Sequence, residues 1–135
     1  MGDSTNDHAK PCVLIVEDEV LVRMFAVDAL EDEGFSVVES ATGAEALAKA
    51  QENPRLVAVI IDLGLPDRSG DLIAADIRAQ RPNLPILIAS GRSERELKDR
   101  FGLDRNVGII VKPFTGPMLF EALEKLGVTP RSGGA

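Results

Sequence analysis

The sequence predicts an α/β fold: a doubly wound, five-stranded parallel sheet with helices on both faces. Three observations predict it. Short apolar runs rich in Val and Ile suit strands buried on both sides. Each run is followed by a segment whose apolar residues recur at three and four, the period of a helix. The strand–helix pair occurs five times in 135 residues, a length for one domain and one core. Right-handed crossovers then spread the helices over both faces.

Residues 1–10 are polar and read as a flexible tail. Cys12 to Val16 form the first strand, ending at Glu17-Asp18-Glu19. Val20, Leu21, Met24, Val27 and Leu30 make the apolar stripe of the first helix, and Gly34 suits the left-handed position past its end. Phe35 to Glu39 form the second strand. Thr42 and Glu45 have capping-box spacing and open an Ala-rich helix, which Asn53-Pro54 ends. The third strand, 56–61, stops at Asp62 and breaks into the turn formers between Gly64 and Gly70. Leu72, Ile73 and Ile77 carry a helix to about Gln80. Pro85 to Ala89 form the fourth strand, ending at Ser90-Gly91. Ser93 and Glu96 form a second capping box before a polar helix, 94–101, anchored by Leu97 and Phe101. Val107 to Val111 form the fifth strand, ending at Lys112-Pro113. Phe114, Met118, Leu119, Ala122, Leu123 and Leu126 form the last apolar stripe, and Gly127 stops it. The domain is expected to span 11–127, with a flexible tail over 128–135.

The totals exclude several function classes. Net charge is -7, and no run of Lys and Arg supplies the basic face of a duplex DNA binder. No apolar run approaches the ~20 residues of a membrane span, and the polar start is no secretory signal. Cys12 is the single cysteine, so neither an internal disulfide nor a cysteine-rich metal site is expected. His8 is the single histidine and lies in the tail, which removes Ser-His-Asp hydrolysis and most zinc sites. A cytoplasmic protein is expected, as a monomer or weak dimer.

In a parallel sheet the strand ends share one edge, and ligands bind at the carboxyl edge. Four strands finish there in reactive residues: Glu17-Asp18, Asp62, Ser90 and Lys112. Any one alone reads as a cap, a turn or a solvated lysine. Together they bring three mutually repelling carboxylates beside a lysine and a hydroxyl. A hard cation relieves such crowding, and Mg²⁺ takes oxygen ligands while pairing with phosphate. That set suits phosphoryl transfer, with Asp62 as a carboxylate nucleophile.

These residues resemble a known family. Val-Leu-Ile-Val-Glu17-Asp18-Glu19, Val-Ile-Ile-Asp62-Leu-Gly-Leu-Pro66-Asp-Arg-Ser-Gly70, Ile-Ala-Ser90-Gly91 and Ile-Val-Lys112-Pro113-Phe114 resemble the receiver domain of two-component response regulators, standing alone without an output domain. The motifs cover residues 12–127. Glu-Asp-Glu-x-Leu-x-Arg-Met and Ser-Gly-Arg are also similar to single-domain receivers that partner alphaproteobacterial histidine kinases of the HWE type. The resemblance implies a flavodoxin-like fold and a phosphorelay role. Asp62 would accept phosphate from a kinase phosphohistidine. Asp18 would bind Mg²⁺ directly, Mn²⁺ being an alternative, with Glu17 acting mainly through water and Gly64 through its carbonyl. Ser90 and Lys112 would each hold a phosphoryl oxygen, and the Lys112–Pro113 bond would be cis. Such a domain catalyses its own phosphorylation and dephosphorylation without being a conventional turnover enzyme.

One departure concerns the readout. The family usually carries Tyr or Phe three residues before the lysine, where this chain has Ile109. An aliphatic side chain cannot swing a ring between buried and exposed states. Ordering of 91–101 as Ser90 moves toward the phosphate is the expected substitute. The expected switch and partner face comprises Ser90, Ile109, Arg95, Lys98 and Phe101. Partners would be a sensor histidine kinase and a histidine phosphotransferase or target protein, with no direct nucleic-acid or membrane contact. A haloacid-dehalogenase-type phosphatase needs a second Asp where Gly64 stands, and no P-loop motif is present. A degenerate receiver acting as a phosphorylation-independent binding module is the alternative, but it would lack some of the acids or the lysine.

Overall fold

In the computed structural model, which describes residues 10–91, 99 and 104–130, strands and helices alternate along the chain. β1 (Cys12–Val16) leads to α1 (Val20–Glu33), β2 (Ser36–Ser40) to α2 (Gly43–Glu52) and β3 (Leu56–Asp62) to α3 (Gly70–Gln80). β4 (Ile86–Ser90), β5 (Val107–Val111) and α4 (Gly116–Lys125) complete the described elements. The polar helix expected over 94–101, with its Ser93–Glu96 capping box, lies outside the described residues except for Asp99.

All strand pairs are parallel, in the order β2-β1-β3-β4-β5. The doubly wound sheet expected from the strand–helix alternation is therefore present. Its order reverses between β1 and β3, which places a crevice at the carboxyl edge there.

Alternation along each strand builds two cores, because successive side chains point to opposite faces. Leu14, Val16, Val59, Ile61, Ile86 and Ile88 pack with Ala46 and Ala50 of α2 and Ile73, Ala74 and Ile77 of α3. Val13, Ile15, Ala58, Ile60, Leu87 and Ala89 pack on the other face with Ala26 and Leu30 of α1 and Leu119 and Leu123 of α4. Leu14, Ile60, Ile86 and Ile88 are wholly buried, and each contributes roughly 1.5–3 kcal/mol of transfer free energy. Burial is deepest in the central strands, while the edge strands β2 and β5 are mostly half-buried.

Local signals set the helix ends. Gly34 sits at φ 110°, the left-handed cap of α1. The Thr42 hydroxyl accepts from the Glu45 amide at 3.2 Å, and Glu45 reaches back to the Ala41 amide at 3.0 Å. That is a capping box whose return bond falls one residue early. The Thr115 hydroxyl caps α4 through the Met118 amide at 3.2 Å.

Two features depart from the sequence reading. The stripe assigned to α1 is not all core: Leu21 is 79% exposed, and Val20, Met24 and Phe25 are also exposed. The buried residues of α1 are Ala26 and Leu30. The first turns of α1 thus stand outside both cores. Packing also extends past the expected boundary at 127. Val128 is buried in the second core, and its amide bonds to the Leu123 carbonyl at 3.0 Å. No helix among the described residues is long and apolar enough to cross a membrane.

Candidate functional site

The site is built from strand ends. β1 runs into Glu17, which is 2% exposed, and half-buried Asp18. Asp62 is the last residue of β3 and Ser90 the last of β4, and both are buried. Lys112 follows β5, and its amide bonds to the Ser90 carbonyl at 2.8 Å. The Lys112–Pro113 bond is cis.

Gly70 makes the geometry at Asp62 attainable. A Cβ at Gly70 would lie 2.3 Å from the Asp62 carbonyl oxygen and 2.8 Å from Leu63 Cα. Only glycine lets α3 start directly on the strand end. The Gly70 amide donates to the Leu63 carbonyl at 2.8 Å, closing the neck of the loop between them.

Lys112 is shared by two acids. Its Nζ donates to Glu17 Oε1 and Asp62 Oδ1, both at 2.8 Å. Glu17 Oε2 accepts from the Glu19 amide at 3.1 Å, and the Glu17 carbonyl accepts from Arg23 at 2.7 Å. Burial raises the Glu17 pKa above its ordinary value, and the nearby Asp62 charge adds to this, against the lowering by Lys112 and the Glu19 amide. Burial works against the Lys112 ammonium, but its bonds to Asp62 and Glu17 outweigh this and hold its pKa above the ordinary value.

Carboxylate oxygens of Glu17, Asp18 and Asp62 all lie within 4.8 Å of one another. One ammonium against three carboxylates leaves negative charge in excess. This all-oxygen donor set fits a hard divalent cation better than a soft one. The cleft above it is open, about 680 Å³, with Asp62, Gly64, Ser90 and Lys112 in its lining.

The structure thus brings Glu17, Asp18, Asp62, Ser90 and Lys112 to one edge, with exposed Gly64 on the rim. Ile109 is half-buried on edge strand β5. Arg95, Lys98 and Phe101 lie outside the described residues. Three features escaped the sequence reading. Arg23 grips the Glu17 carbonyl while pairing with Glu39 at 3.1 Å. Asp67 reaches across to α2, accepting from the Gly43 amide at 2.9 Å and the Ala44 amide at 3.0 Å. The exposed apolar start of α1 borders Phe114, whose ring centroid is 6.3 Å from that of Phe25. The Asp67 bonds have no short-range signal, since they span 23 and 24 residues.

Comparison with known proteins agrees with this geometry. The model of the response regulator receiver domain family matches residues 13–124. The sensor kinase CckA of Brucella abortus is 31% identical over 115 residues, which are 84% of this chain and 12% of that protein. The transcriptional regulatory protein PdtaR of Mycobacterium tuberculosis is 37% identical over 114 residues, 83% of this chain and 54% of that protein. The chain therefore spans about half or less of these relatives. Among solved structures, chemotaxis protein CheY4 of Vibrio cholerae superposes with a TM-score of 0.81 at 32% identity, covering 87% of this chain and 99% of that one. The receiver domain of the hybrid histidine kinase CckA gives 0.72 at 29% identity, covering 85% and 98%. The family match covers nearly the whole described chain, whose sheet is ordered 2-1-3-4-5 with its acids at the β1/β3 reversal, and the chain belongs to the response regulator receiver domain family.

Proposed function

We propose that Asp62 accepts a phosphoryl group from a phosphohistidine on a partner protein, and that the phosphorylated chain signals or relays through protein contacts. The observation that carries this reading is the set of three buried or half-buried carboxylates sharing one lysine at the crevice. The Asp62 carboxylate attacks phosphorus, the P–N bond to histidine breaks, and an acyl phosphate forms on Asp62. The histidine nitrogen leaves with the electron pair of that bond.

Each residue has a part. Lys112 already holds Asp62 Oδ1, and a Cβ at Gly64 would lie 3.8 Å from Oδ2, so Oδ2 faces the open rim. Lys112 then pairs with an oxygen of the transferred group, and the Ser90 hydroxyl donates to another. Asp18, Asp62, the Gly64 carbonyl and, through water, Glu17 would hold Mg²⁺ or Mn²⁺. Such an ion supplies charge neutralisation for the acids and for phosphoryl oxygens. With the acids and the lysine all in place, a phosphorylation-independent binding module is the weaker reading.

The surface beside the cleft supports a protein donor. Val20, Leu21, Met24 and Phe25 expose apolar side chains next to the site, a patch of the kind that marks protein contact. In CckA the matching segment belongs to a sensor kinase, consistent with a kinase or phosphotransfer partner.

The test uses Mg²⁺ and acetyl phosphate, with intact mass as readout. One phosphoryl group is expected on the wild type and none on Asp62→Asn or in excess chelator. Labelling of Asp62→Asn, or labelling that ignores the metal, would overturn the reading.

A further inference from the structure

The loop between β3 and α3 is held at three places. Its neck is the Gly70 amide bonded to the Leu63 carbonyl at 2.8 Å. Its inner side is Leu65, buried in the core shared by α2 and α3. Its outer side is Asp67, whose two carboxylate oxygens each take one amide of the first turn of α2, Gly43 at 2.9 Å and Ala44 at 3.0 Å. Those amides lie where a helix leaves donors without partners and where its dipole favours an anion. The grip holds the Asp67 pKa below its ordinary value, through the bonds from Gly43 and Ala44. The helices are close here as well: a Cβ at Gly43 would lie 2.5 Å from Ile73 Cδ1, so glycine lets α2 seat against α3 without moving that side chain.

Gly64 lies between the neck and the Asp67 anchor, on the rim of the cleft. A backbone carbonyl has no rotamer, so its aim is set entirely by how the loop is held. We infer that Asp67 is a positioning residue: by clamping the loop to α2, it sets the aim of the Gly64 carbonyl and thereby the affinity of the site for a divalent cation. This rests on the metal-dependent reading given above. Groups that orient a ligand without touching the metal often matter about tenfold or more to binding.

Thr42 supplies the matched control. Its hydroxyl caps the same helix end, on the Glu45 amide at 3.2 Å, but has no hold on the loop. A merely structural role for Asp67 predicts that Asp67→Ala and Thr42→Ala behave alike. Positioning predicts that they part.

The chain has no Trp or Tyr, so the experiment is titration with Mg²⁺ followed by calorimetry, in the absence of any phosphodonor. Asp67→Ala is expected to bind Mg²⁺ about tenfold more weakly than the wild type, with Thr42→Ala unchanged. Labelling by acetyl phosphate in Asp67→Ala is expected to recover at saturating Mg²⁺. Asp67→Asn keeps one acceptor oxygen and falls between, and it decides the matter alone should the alanine variant fail to fold. Mg²⁺ affinity in the Asp67 variants equal to wild type, or equal weakening in Thr42→Ala, would overturn the inference while leaving the phosphoacceptor reading intact. A wild type that binds no Mg²⁺ overturns both.

Discussion

The two edges of the sheet use the same kinds of side chain to different ends. At the amino edge, Arg78 donates to the Asp104 carboxylate at 2.8 Å and to the Arg81 and Asn106 carbonyls at 3.1 and 3.2 Å. Arg81 donates to the Ala50, Asn53 and Pro54 carbonyls at 3.3, 3.0 and 3.1 Å. Arg78 ties together the loops before β4 and β5, and Arg81 holds the end of α2 and the loop after it. At the carboxyl edge the ratio inverts, and Lys112 is left to serve Glu17 and Asp62 with Asp18 close by. Guanidiniums spread over a carboxylate and many backbone carbonyls hold a fold together. Unmatched charge, buried at a crevice, costs stability and is kept where a ligand or a reaction completes it.

Breaking the amino edge has the largest expected effect. Arg78→Ala takes the guanidinium from the Asp104 carboxylate and from the Arg81, Leu84 and Asn106 carbonyls, and about 2 kcal/mol of stability is expected to go, read from denaturant unfolding. Phosphorylation of the folded variant stays as in the wild type. Unchanged stability with impaired labelling would make the two edges alike. A smaller effect sharpens the other side. Lys112→Ala removes the cation bonded to Glu17 and Asp62, so the acids depend more on added metal. Mg²⁺ is expected to raise its thermal midpoint by about 2–4 °C more than it raises the wild type's. Equal rises would show that the lysine leaves no charge uncompensated.

The smallest effect is in the pH profile. Burial pushes the Asp104 carboxyl up, but the Arg78 guanidinium and the Asn106 amide outweigh this and hold its pKa below the ordinary value. A lowered folded pKa contributes stability that is present above about 3.9 and lost as pH falls through the folded value. Asp104→Asn is therefore expected to flatten the acid limb of the thermal midpoint against pH. An unchanged limb would assign that loss to other carboxylates.

Much of this was legible in the chain. Val13 to Val16 and Val59 to Ile61 announce two-sided burial by being apolar throughout, and the residues that stop the runs are those the site uses. Strand ends meet at one edge by topology alone, so Glu17, Asp18, Asp62, Ser90 and Lys112 could be placed together without contacts. Periodicity placed the start of α1 at Val20 but not the burial of its first turns, because it reports an apolar face but not what lies against it. Leu21 and Met24 fit the stripe yet are exposed and belong to neither core. Asp67 reads as one more turn former, because a carboxylate that caps a distant helix differs in no local way from one that caps its own turn.

The exposure of Val20, Leu21, Met24 and Phe25 has a consequence for how such a chain diversifies. These side chains stand outside both cores, so exchanging them leaves the sheet unstrained. At Gly70, by contrast, any side chain collides with the Asp62 backbone. Under the proposed transfer, choice of partner and chemistry of transfer would lie in positions that can vary independently. A duplicated copy could drift to a new donor through the first turns of α1 while its reaction centre stayed as it is.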